Sequence, residues 1–202
     1  MSKLGSSDNP LKVAIVGAGP SGFYAADALI TSDLKVEVNL IEKLCAPYGL
    51  VRTGVAPDHP LIKKSIEKFA VMAEPEEFNY FGNVAVGKDI TVDQLKESHH
   101  AVIITMGAET DRRLGIPGED LKGSHTATEF VAWYNGHPEY REREFDLSHE
   151  TAVIIGQGNV AADVARILSK TVDELKCTDI SQHALDVLEG SKVKNIYVVG
   201  RR

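Results

Sequence analysis

KVAIVGAGPSGFYAADALI, residues 12–30, runs from an apolar stretch through a glycine-rich turn into a helical pattern. KVAIV (12–16) reads as a buried parallel strand, because a strand covered on both faces carries apolar residues without alternation. The turn IVGAGPSG (15–22) spaces its glycines as G-x-G-x-x-G, and each has a physical task. Gly17 permits the tight turn, Gly19 lets the backbone approach a pyrophosphate, and Gly22 lets the helix pack close to the strand. The helix start behind them is then aimed at an anion. VEVNLI (36–41) supplies the next strand, and Glu42 ends it 20 residues beyond Gly22, where a carboxylate can accept hydrogen bonds from a ribose. Turn, context and acid together point to a bound dinucleotide; the competing reading is a structural glycine turn.

Working outward, apolar runs bounded by turn residues recur at 101–106 (AVIITM), 152–155 (AVII) and 195–199 (NIYVV). Helical patterns fall at 20–31, 60–73, 91–98 with Thr91 as cap, 125–135, 159–169 and 179–189. Alternating strands and helices predict an α/β fold with doubly wound, Rossmann-like sheets. LGIPGEDLKG (114–123) follows a strand end and is rich in Gly, Pro and acid, so a domain crossover is expected near residue 108.

The first turn has an echo, IIGQGNVA at 154–161. Gly156 and Gly158 match, Ala161 replaces the third glycine, and the following strand ends in Gly200, Arg201 and Arg202 where the acid would stand. Guanidinium forks pair with phosphate, so this second site favours the 2'-phosphate of NADP over NAD. The competing reading has both arginines merely reaching solvent. The two sites together suggest FAD in the first half and NADP in the second.

A net charge of −7 and a pI near 5.5, with no long basic block, argue against nucleic-acid binding. No run approaches a transmembrane span, and MSKLGSSDNP lacks the features of a signal or transit peptide, which leads to the expectation of a cytoplasmic protein or a mature organellar form in the mitochondrial matrix. Cys45 and Cys177 lie 132 positions apart, which leaves neither a CxxC pair nor a four-ligand metal set. An electron acceptor must then be external.

APYGLVRTGVAPDHPLIK (46–63), FNYFGNVAVGKD (78–89), GQGNVA with DVARIL (156–168) and the strand ending GRR (200–202) are not generic to nucleotide-binding sheets. Together they resemble the adrenodoxin reductase type of ferredoxin-NADP reductase, from about residue 11 to the last. The resemblance implies an FAD flavoenzyme that takes a hydride from NADPH and passes electrons to a ferredoxin- or adrenodoxin-type 2Fe–2S protein. Family members are roughly twice as long, so an N-terminal fragment, inactive by itself, is expected: residues 1–107 as part of an FAD domain and 108–202 as the first part of an NADP domain. By the same resemblance Ser21 approaches the FAD pyrophosphate, Glu42 its ribose, and Leu50 and Val86 the flavin nucleotide. Gln157, Gly158, Asn159 and Val160 line the NADP pyrophosphate. His59 and Asp163 form a pair near both nucleotides that could shuttle a proton. The alternative is that Asp163 sits at a favourable helix end and His59 braces a proline turn. Two other functions stay open, a glutamate synthase small-subunit-like flavoenzyme, whose N-terminal iron-sulfur cysteines are missing here, and a nucleotide-binding sensor without turnover.

Overall fold

A computed structural model describes residues 2–108 and 110–200; Arg201 and Arg202 lie outside the described residues. Along the chain run β1 (Leu11–Val16), α1 (Pro20–Ile30), β2 (Val36–Ile41), α2 (Leu50–Thr53), α3 (Pro60–Lys63), α4 (Ser65–Met72), β3 (Phe78–Phe81), α5 (Val92–Ser98) and β4 (Ala101–Ile104). There follow α6 (Ala127–Tyr134), a 3-10 turn (Pro138–Tyr140), β5 (Thr151–Ile155), α7 (Asn159–Ser169), α8 (Val172–Leu175), α9 (Gln182–Glu189) and β6 (Asn195–Val199). Residue contacts group these into two compact units. The first holds Met1–Arg52 and Lys63–Glu109, the second Thr53–Ile62 and Thr110–Arg202.

In the first unit four parallel strands lie in the order β3-β2-β1-β4. Val13 and Ile15 of β1, with Val38 and Leu40 of β2, face a core completed by Phe23, Ala26, Phe69 and Met72 of α1 and α4. Ala14, Val16 and Ile41 point the other way and pack on Leu95 of α5. With both faces covered, β1 has no need of alternation, which is why it reads as an uninterrupted apolar run. Asn39, on the α5 face, is satisfied by His99 Nε2 at 2.9 Å. The Thr91 cap is a full capping box: its hydroxyl accepts from the Gln94 amide at 3.1 Å while Gln94 Oε1 accepts from the Thr91 amide at 2.8 Å.

In the second unit β5 and β6 pair in parallel, Thr151 opposite Asn195 through Ile155 opposite Val199. Ile154 packs toward a core of Phe130, Trp133 and Tyr134 from α6, Val164 and Ile167 from α7, and Ala184, Leu185 and Leu188 from α9. The parallel strands and intervening helices are the α/β arrangement expected. One helix over 60–73 was the expectation; the structure has two, α3 and α4. Lys64 between them keeps right-handed helical dihedrals, so the chain's path continues while the regular hydrogen bonding is interrupted. No helix among the described residues is long and apolar enough to cross a membrane.

Candidate functional site

The first glycine turn leaves the C-terminal end of β1, which lies between β2 and β4. Strand order reverses there, the place where open α/β sheets receive ligands. Gly17 has φ of +106°, and a Cβ on it would stand 2.7 Å from the Thr105 carbonyl, so only glycine fits. A Cβ on Gly22 would stand 2.1 Å from the Gly17 carbonyl, which measures how closely α1 approaches the turn. A Cβ on Gly19 would meet nothing within 4 Å; here the backbone faces open space. Gly19 caps α1 without a side-chain hydrogen bond, and Ser21 is exposed in the first turn of that helix.

Two side chains brace this turn. Glu42 Oε2 accepts from the Ala18 amide at 2.8 Å and Oε1 from the Leu44 amide at 3.1 Å. Thr105 Oγ1 lies 3.0 Å from the Val16 carbonyl and 2.9 Å from that of Gly17. The loop after β2 then folds over the turn, with the Tyr48 amide on the Ala18 carbonyl at 2.8 Å and Gly49 close against Gly19. Tyr48 takes a φ of 90°, unusual for a residue with a side chain. Its ring is held by Phe23 and Phe69, 5.3 and 6.1 Å away between centroids, and by the Arg52 guanidinium above it. Leu50, next in the chain, is 69% exposed, and Met106, beside Gly17, is 52% exposed. Val86 is partly buried against Ala14, Val16, Ile41 and Leu95. Nearby, burial pushes the Tyr80 hydroxyl up to about 12, with Glu42 adding to the shift.

The second turn repeats the plan in the second unit. The Gly156 amide bonds the Val199 carbonyl at 2.7 Å, Gly156 has φ of +129°, and Gly158 caps α7 without a side-chain hydrogen bond. A Cβ at Gly156 or Gly158 would meet nothing within 4 Å. Asn159 and Val160 are exposed at the helix start. Gln157 lies across Gly200, where a Cβ would come within 2.3 Å of its side chain. The glycine of the GRR motif therefore makes room for Gln157.

His59 and Asp163 are brought together, Nε2 to Oδ1, at 3.1 Å. Three residues that the sequence reading passed over complete the cluster. Asp58, with a side chain only 4% exposed, takes a two-pronged bond from Arg166, Nε to Oδ2 at 2.5 Å and Nη2 to Oδ1 at 2.7 Å, and a further bond from Lys170 at 2.6 Å. The Arg166 hydrogen bond is the main reason that the Asp58 carboxyl is held well below the usual carboxylate range, against the opposing effect of burial. Arg166 Nη2 also lies 2.8 Å from Asp163 Oδ1 and 2.8 Å from His59 Nε2. The Tyr134 hydroxyl is buried without a hydrogen-bond partner among the described residues, and burial raises it far above a phenol's ordinary value. A signal for the cluster was present in the sequence. Asp163, Arg166 and Lys170 fall three and four residues apart, on one stripe of a helix. Both cysteines are exposed free thiols, and no group of three or more His, Cys, Asp or Glu among the described residues could hold a metal ion.

The sequence profile of the pyridine nucleotide-disulphide oxidoreductase family matches residues 11–197. The chain is 55% identical over 191 residues to the mitochondrial NADPH:adrenodoxin oxidoreductase of Salvelinus fontinalis, covering 95% of this chain and 38% of that protein. It is 50% identical over 195 residues to the NADPH-ferredoxin reductase FprA of Mycobacterium leprae, covering 94% of this chain and 43% of that protein. FprA of Mycobacterium tuberculosis, solved in complex with NADPH, matches with a TM-score of 0.93 at 49% identity, covering 96% of this chain and 44% of that one. The chain thus spans about two fifths of the length of these relatives.

Proposed function

This chain belongs to the pyridine nucleotide-disulphide oxidoreductase family, and on that premise we propose that it supplies both pyrophosphate-binding turns of an FAD flavoprotein that passes electrons from NADPH to a ferredoxin-type iron-sulfur protein. One observation carries the reading. Two strand–glycine–helix turns, each at a helix start free of side-chain caps, occur in a chain about half identical to NADPH-dependent ferredoxin reductases over nearly its whole length. The backbone at Gly19, Gly156 and Gly158 has the open space that a pyrophosphate needs, so the residues present fit two dinucleotides.

Residues 1–107 contribute to the FAD-binding domain and 108–202 to the NADP-binding domain. Ser21 and the start of α1 face the FAD pyrophosphate, Glu42 its ribose, and Leu50 and Val86 offer apolar contact. Gln157, Asn159 and Val160 serve the NADP pyrophosphate, and Arg201 and Arg202 its 2'-phosphate. Flavin and nicotinamide, when bound, supply the hydride chemistry. The protein's part is to position them, and His59 with Asp163 holds and moves a proton at the imidazole. A cytoplasmic or mitochondrial-matrix location suits the reading, since the relatives carry both bacterial and mitochondrial names.

The test uses the full-length protein that contains this sequence, with ferricyanide as acceptor so that ferredoxin docking stays out of the measurement. NADPH-dependent turnover is expected, and Arg201→Ala with Arg202→Ala raises the NADPH KM by two decades or more, at about 1.5–3 kcal/mol for each charge-assisted contact. NADH, which lacks the 2'-phosphate, keeps its KM, and kcat changes little because the contact is made equally in ground and transition states. Equal loss with NADH and NADPH removes the NADP assignment. Binding of both nucleotides without turnover overturns the reductase reading in favour of a sensor.

A further inference from the structure

Nη2 of Arg166 carries two protons and faces three acceptors: Asp58 Oδ1 at 2.7 Å, Asp163 Oδ1 at 2.8 Å and His59 Nε2 at 2.8 Å. One of the three contacts must go without a proton from Arg166. Asp58 claims the first, because its two oxygens grip the guanidinium fork in the bidentate geometry that favours carboxylates, and its side chain is almost wholly buried. A single proton remains for Asp163 and His59. Asp163 is an anion with a side chain 18% exposed, whereas the imidazole is 39% exposed and can be neutral. A buried anion left short of donors costs more than an imidazole nitrogen left bare, so the proton goes to Asp163. His59 Nε2 then stands 3.1 Å from Asp163 Oδ1 with nothing to accept, and the contact becomes a bond only when Nε2 brings its own proton.

We infer that Asp58, acting through Arg166, fixes the neutral imidazole of His59 as the Nε2–H tautomer and leaves Nδ1 as the atom that exchanges protons. The four protons that these contacts share then have acceptors, two from Arg166 to Asp58, one from Arg166 to Asp163 and one from His59 to Asp163, at the cost of leaving Nε2 and Nη2 as two donors 2.8 Å apart. The opposite tautomer would set a bare Nε2 against the Asp163 oxygen, acceptor facing acceptor. The charged groups facing the ring and its partners are Asp58, Asp163, Arg166 and Lys170, and the buried Tyr134 hydroxyl is also close enough to Asp163 to feel its charge. Nδ1 has no partner among the described residues. Asp58 and Arg166 are thus positioning residues, and Asp163 orients the ring much as a carboxylate orients the histidine of a hydrolytic triad. The use of Nδ1 in turnover rests on the reductase reading above, but the tautomer is a property of this chain alone.

The experiment is a nitrogen-15 NMR measurement of the His59 ring in the full-length protein that contains this sequence, with no pyridine nucleotide added, at a pH where the ring is neutral. The Nε2–H tautomer is expected to dominate. A dominant Nδ1–H tautomer overturns the inference without any variant being made. Asp58→Ala then returns one proton to Nη2, giving two protons for two acceptors, and the tautomer ratio should move several-fold toward Nδ1–H. Lys170→Met also strips a charged partner from Asp58 but leaves the Nη2 count unchanged, so its ratio should match the unsubstituted chain. If both variants shift the ratio alike, or neither does, proton counting at Arg166 is not what sets it. A failed NADPH assay with the expected tautomer would sink the reductase reading and leave this one standing.

Discussion

The carboxylate of Glu42 has about four lone-pair sites, and the amides of Ala18 and Leu44 occupy two of them. A ribose could use the others, so the residue that ends β2 has a structural task whether or not a nucleotide is present. Spacing from Gly22 locates this acid, and nothing in the spacing reveals the bracing, because the two amides belong to loops whose path depends on the whole sheet edge. The distinction can be measured. Glu42→Gln keeps the shape but turns one acceptor into a donor that faces a backbone amide. Unfolding of the chain in urea, without cofactor, should show a loss of about 1–3 kcal/mol. An unchanged midpoint would return Glu42 to a ligand-only role. Asp58 was overlooked for a related reason. Its partners lie more than a hundred residues away, and no local pattern announces an ion pair of that span.

At the level of elements, the glycines of the first turn divide their labour, and α1 exposes the division. Gly22→Ala would gain up to about 1 kcal/mol in intrinsic helix propensity. The gain is overwhelmed, since the new Cβ would stand 2.1 Å from a backbone carbonyl and force α1 off the turn. A loss of about 2–4 kcal/mol is expected in a melting experiment, in the range of other overpacked sites. Gly19→Ala meets no atom within 4 Å, so it should melt with the unsubstituted chain and yet bind adenine dinucleotides at least tenfold more weakly. Equal melting losses for the two variants would contradict this division. Elements with strong patterns, β1, β2, α1, α5 and α7, were legible in the sequence, as was the Thr91 cap of α5. The four-residue strand β3 was not, because its side chains are partly exposed and carry no period. The single-turn helices α2 and α8 are too short to leave a hydrophobic repeat at all.

Over the whole molecule, each unit has its own apolar clusters, one set around β1 and β2, the other around α6, α7 and α9. Calorimetry should therefore resolve two transitions. Ile15→Ala should lower one of them and Ile167→Ala the other, each by about 10 °C or more, from a loss of about 2–5 kcal/mol for an emptied core site. A single transition moved equally by both would show that the units melt as one. Two nucleotide-binding units were readable from two glycine turns, but the contacts that place Thr53–Ile62 with the second unit were not, since PDHP looks locally like any proline turn. That placement also sets a clock. Asp58 leaves the ribosome 108 residues ahead of Arg166, a delay of about 5–20 s at ordinary elongation rates. For that interval its carboxylate is a solvated acid on an unclaimed loop, while β1 and β2 are already free to pair. The second unit can close only after α7 has been made, so the pace of translation from residue 59 to residue 170 governs when the nascent chain seals its ion pairs.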